Sequence, residues 1–197
     1  MLGLGQDHVA SATAHSIVAR QLAVTVSYAL LIIFAEHSPD SVLGSALRWW
    51  VNESMPWVQT VLFFEPAPSL ENAEKISVRI LAYRHVLVGS LCFALYSIVI
   101  SRPHWSTWAG ALSARLVRAK RSRAEFERLC EIGFHRMILG AIGATVLAIY
   151  LEPAQAPSVV WSASSDWAIL RAPLLIGVAT AFALLAVTLH AGQRIRH

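Results

Sequence analysis

Four apolar runs decide what this chain can fold into. Residues 17–34 carry one charge, Arg20, and residues 86–100, 137–151 and 172–189 carry none. Crossing the hydrocarbon of a bilayer takes about 20 predominantly apolar residues, with a working range of roughly 17 to 25. The two middle runs are short, but one is preceded by Arg84-His85 and the other by His135-Arg136, side chains that can snorkel to the headgroups. The pattern predicts an all-α membrane protein with transmembrane helices over about 17–34, 84–101, 133–151 and 172–190, in a single polytopic domain covering 1–197. Composition agrees, because 14% of the residues are charged, whereas a soluble domain carries about a quarter.

A cleaved signal peptide competes for the first run, since Ile33-Phe34-Ala35 can pass for a cleavage site. The first twenty residues argue for retention, because they contain Asp7 and hold Arg20 as their one Lys or Arg.

Charge sets the expected orientation. The tail before residue 21, the loop 102–132 with its flanks, and the tail from His190 together hold 11 of the 16 Lys and Arg but 4 of the 12 acids. The positive-inside rule then places both termini and that loop in the cytoplasm, with the loop 35–83 outside. All seven tryptophans lie outside the apolar runs, which reads as an interfacial belt.

Both long loops carry helical signals. In the outer one, "SVLGSALRWWVNESMPWVQTVLFF" has Arg48 and Glu53 as its charged residues, a composition suited to helices lying in the interface plane. Ser69 follows Pro68, with Glu71 and Glu74 in the next turn, so a helix is expected to start there and enter the second span. In the inner loop, Ser122-Arg123-Ala124-Glu125 has the form of a capping box. Phe126, Leu129, Cys130 and Gly133 follow at helical spacing, and Leu112, Leu116 and Ala119 share one face of a preceding helix. The expected result is a basic helical hairpin joined near Arg121.

Arg115, Arg118, Lys120, Arg121, Arg123 and Arg128 of this hairpin are candidate contacts for anionic lipid or for an acidic protein partner. Direct DNA contact is disfavoured, because Trp105 and Trp108 alone are nearby for base stacking. Within the spans, Gly140, Ala144 and Ala148, then Gly177 and Ala181, and also Ala19, Ala23 and Ser27, form small-residue stripes. Such stripes let helices approach closely, either within the chain or between copies in a homo-oligomer.

Enzyme chemistry finds no constellation. There is no phosphate loop, nucleophile elbow or zinc helix, and Cys92 and Cys130 fall at different depths. Transport is disfavoured by the lack of a charge at the expected bilayer centre. Histidine offers an alternative, a haem-binding subunit of an electron-transfer complex, with His37 and His85 near the outer helix ends and His135 and His190 near the inner ones. A solvated or headgroup-facing role is the ordinary expectation at such edges.

The order of parts carries a family resemblance. After the second span come Trp108-Ala109-Gly110, then Arg115, Arg118, Lys120, Arg121 and Arg123, then Phe134-His135-Arg136 before the third. This resembles the membrane proteins of integrative conjugative elements and large conjugative plasmids, in which the segment opens with Asp-Gly and closes with Tyr-His. Ala109 and Phe134 replace the Asp and the Tyr here, and the Gly-rich turn between is absent. The resemblance implies a non-enzymatic inner-membrane component of a type IV secretion system, working without a cofactor beside the coupling ATPase.

Overall fold

The computed structural model describes residues 3–38, 40–47, 49–50, 53, 73–118, 123–151 and 166–194. They are helical almost throughout: α1 (Gly3–His37), α2 (Ala73–Ser101), a 3-10 turn (Arg102–His104), α3 (Trp105–Arg118), α4 (Arg123–Tyr150) and α5 (Trp167–Arg194). Four segments are long and apolar enough to cross a membrane, His15–Ala35, Ala82–Ala114, Glu127–Tyr150 and Ile169–Gly192. The chain is a multi-pass membrane protein. Helix is the form that satisfies every backbone group inside a single segment when no water is present to do so.

The second of these segments is 33 residues long, well beyond what one crossing needs. It is divided at the 3-10 turn, where Pro103 sits in the first turn and its missing N–H costs nothing. Ser101 fastens the division from both sides. Its hydroxyl donates to the Ile98 carbonyl at 2.7 Å and accepts the Trp105 indole N–H at 2.8 Å.

By contacts the chain separates into two compact units, and each takes a piece of all four spanning helices. The first comprises Met1–Gln21, Ala94–Ala144 and Gly177–His197, and the second Leu22–Phe93 and Thr145–Ile176.

In the first unit, Trp108 and Leu184 form a buried pair with Ile17, Val18, Ile98, Trp105 and Ala111 around it. Trp108 is therefore a packing residue, correcting its expected place in the interfacial belt. Its indole, on α3, meets Leu184 of α5. Here too Gly140 and Gly133 admit large neighbours, since a Cβ on Gly140 would stand 3.1 Å from the Phe182 ring and one on Gly133 would stand 3.0 Å from Leu189. Gln21, buried in an otherwise apolar stretch, donates its amide to the Thr180 hydroxyl at 2.9 Å.

In the second unit, Tyr83 is fully buried and its hydroxyl donates to the Ala148 carbonyl, tying α2 to α4. A short helix over 42–47 follows α1. Ser41 caps it by accepting the Gly44 N–H at 2.9 Å, as an N-cap serine does. Gly44 has no substitute, because a Cβ would lie 2.0 Å from the Ser38 carbonyl oxygen. Val42, Leu43, Trp49 and Trp50 are exposed apolar groups of this region, in keeping with a segment lying along an interface. The expected helix start at Ser69 and the capping serine, Ser122, fall outside the described residues. At its start α5 uses Asp166, whose carbonyl accepts the N–H of Ile169 and of Leu170. Its side chain adds a carboxylate at a helix N-terminus, where the macrodipole favours one.

Candidate functional site

The basic residues separate by position. Arg115 and Arg118 occupy the last turn of α3, and Arg123 is the first residue of α4. Lys120 and Arg121 lie outside the described residues. Arg128, on α4, is exposed, as is Glu131, while Glu127 is half-buried. Both helices continue from spanning ones: α3 follows α2 through the 3-10 turn, and α4 enters the third span without a break. The end of α3 and the start of α4 thus carry basic residues on either side of positions 119–122.

The histidines are held by the protein. His37 Nε2 lies 3.2 Å from both carboxylate oxygens of Asp166, in an exposed pair. His85 is buried, which corrects the expectation of a solvated edge residue, and so is its neighbour Arg84, which was expected to reach the headgroups. Their positions near the end of an apolar run mark depth, but depth does not say whether a helix face meets lipid or protein. His85 Nδ1 pairs with the Tyr28 hydroxyl, and the Tyr28 and His85 rings are 5.7 Å apart. Trp50 joins them with its ring edge-on at 6.2 Å from His85 and its indole bonded to the Tyr28 hydroxyl. Indole nitrogen donates only, so the Tyr28 oxygen accepts from Trp50 and its O–H is left to serve His85. Three chain regions, α1, the segment after it and α2, meet in this cluster.

In the first unit His135 turns Nδ1 back to the Glu131 carbonyl at 2.8 Å. The Phe134 ring stands 5.4 Å from the His135 ring and 5.4 Å from that of His190, so a phenyl group packs beside both imidazoles. His104 stacks on Trp108 at 6.0 Å with 22° between the planes.

The small-residue stripes divide between inside and outside. Gly140 receives Phe182, Ala148 is fully buried and Gly177 is buried, while Ala144 is half-buried. Ala181 is exposed, as are Ala19, Ala23 and Ser27. Cys92 is exposed and Cys130 buried, both as free thiols. Among the described residues no three His, Cys, Asp or Glu side chains gather as a metal set.

Sequence reading had not singled out Tyr28, Gln21 or Thr180. One signal was available: Gln21 and Thr25 are polar groups four residues apart in an apolar run, and such a spacing puts both on one helix face. Tyr28, Trp50 and His85 are too far apart in sequence for any spacing to reveal them. No protein-family model, curated protein or solved structure matches the chain.

Proposed function

We propose that this protein is a non-enzymatic scaffold of a bacterial inner membrane, an accessory component of a conjugative DNA-transfer system of the type IV secretion class. Its termini and the connection between α3 and α4 lie in the cytoplasm, where the basic residues from Arg115 to Arg128 dock an acidic face of the coupling ATPase. The observation that supports this reading most is the way the basic segment is carried. Arg115 and Arg118 end one helix and Arg123 begins the next, and each helix extends a membrane span. A segment fixed to two spans loses little freedom when it binds, and ordering costs are a large part of what weakens loose surface contacts. Glu125, Glu127 and Glu131 alternate with the basic side chains on α4 and would fix register by repelling a misaligned partner.

The haem alternative gains no comparable support. His37 is engaged by Asp166 and His85 by Tyr28, and the Phe134 ring packs against both His135 and His190.

Charge reversal tests the docking role. Tagged wild type, purified from its host in mild detergent, is expected to bring down a nucleotide-hydrolysing coupling ATPase. The variant carrying Arg115→Glu, Arg118→Glu and Arg121→Glu is expected to lose it at unchanged protein level. Equal recovery with both proteins would remove the proposal.

A further inference from the structure

The same pairing of residue types recurs in the first three spans, outside the segment 115–128. His15 and Arg20 lie in the opening turns of the first, Arg102 and His104 in the 3-10 turn that divides the second, and His135 and Arg136 about two turns into the third; His190 lies in the last turn of the fourth. All belong to the first compact unit. The two partners of each couple behave differently. Imidazoles are seated by the fold: His104 is stacked on Trp108, His135 is bonded to the Glu131 carbonyl, and His190 is packed on Phe134. Arg20, Arg102 and Arg136 are exposed, and among the described residues none of the three has a carboxylate partner.

An arginine on a membrane span extends its guanidinium to headgroup level while its stem remains in hydrocarbon. There the available acceptors are lipid phosphates, which a guanidinium binds through two parallel hydrogen bonds. We propose that Arg20, Arg102 and Arg136 form a collar that binds the phosphate groups of anionic phospholipids in the leaflet facing the termini. The occupant is a lipid because the three arginines sit on the spanning segments or directly at their ends. The half-buried Trp105, whose indole is bonded to Ser101, adds an amphipathic ring beside Arg102, a residue type favoured at headgroup depth. This inference does not rest on the docking of an ATPase, and it uses none of the residues from Arg115 to Arg128.

The test uses the full-length protein in phosphatidylcholine vesicles, with spin-labelled phosphatidylglycerol or spin-labelled phosphatidylcholine as the probe. The readout is the fraction of each probe immobilised at the protein surface. Wild type is expected to hold the anionic probe with a preference on the order of fivefold, since a basic side chain near the surface supplies that much attraction. Replacing all three with Gln (Arg20→Gln, Arg102→Gln, Arg136→Gln) is expected to bring the ratio near one, and replacing them with Lys to keep only the part that charge alone supplies. A wild type without preference would overturn the proposal. So would a Gln variant whose preference is unchanged, which would assign the selectivity to other basic residues.

Discussion

The two compact units use their polar residues in opposite ways. In the second, the groups are spent on one another: Trp50 with Tyr28 and Tyr28 with His85, Tyr83 with the Ala148 carbonyl, His37 with Asp166. In the first, Gln21 pairs with Thr180 and Ser101 with Trp105 among apolar contacts, while Arg20, Arg102, Arg128 and Arg136 face outward. A polar group buried in a membrane protein stabilises when it is satisfied and costs several kcal/mol when it is not. An exposed cation at headgroup level contributes little to the fold and remains available for contact. The difference teaches that one unit's chemistry is directed at holding helices together and the other's at meeting something outside.

That contrast can be broken at several points. The largest effect on stability is expected from Gly140→Leu, because the site is already filled by Phe182. Overpacking of this kind costs about 1 to 3 kcal/mol, read as a lower midpoint in denaturant titration of the protein in micelles. Next comes Tyr28→Phe, which removes the oxygen that both Trp50 and His85 use. A loss of about 1 to 3 kcal/mol is expected, with a change in tryptophan fluorescence that places the effect at Trp50. Gln21→Leu is expected to be milder, about 0.6 kcal/mol, the average measured for hydrogen bonds between membrane helices. Arg136→Gln is expected to leave the midpoint within about 0.5 kcal/mol of wild type, as exposed substitutions do. If Arg136→Gln cost as much as Tyr28→Phe, the division between a unit whose polar groups tie helices together and an outward-facing one would fail.

The spans were legible in the sequence because a run of nearly 20 apolar residues has few alternatives to crossing a bilayer. Span ends were less so. Hydropathy alone carries the second apolar segment to Ala114, and only the turn at Arg102–His104, with Pro103, shows where α2 stops and α3 begins. Trp108 was misplaced because an indole suits a headgroup belt and a packed core equally well, and the choice depends on a neighbour, Leu184, far away in the chain. Arg84 and His85 show the limit of reading depth from a sequence. Their distance along the span was legible, but that they are buried was not, and the groups against His85 are Tyr28 of α1 and Trp50, which lie far away in the chain. For the candidate docking segment, the residues and the two helices that carry them could be read from charge and spacing. The stripe at Ala181 could not be resolved in the same way, because small residues permit a close contact without specifying the neighbour. The structure leaves that residue exposed while Gly177, four positions earlier, is buried.

The most direct measurement is site-specific photocrosslinking in the living host. A photoreactive residue is placed in turn at position 121, in the α3–α4 connection, and at position 42, an exposed site of the second unit. The expected result is an adduct with a coupling ATPase from position 121 and none from position 42. An ATPase adduct of equal yield at both positions, or only lipid and self adducts at position 121, would contradict the assignment of the basic segment to that partner.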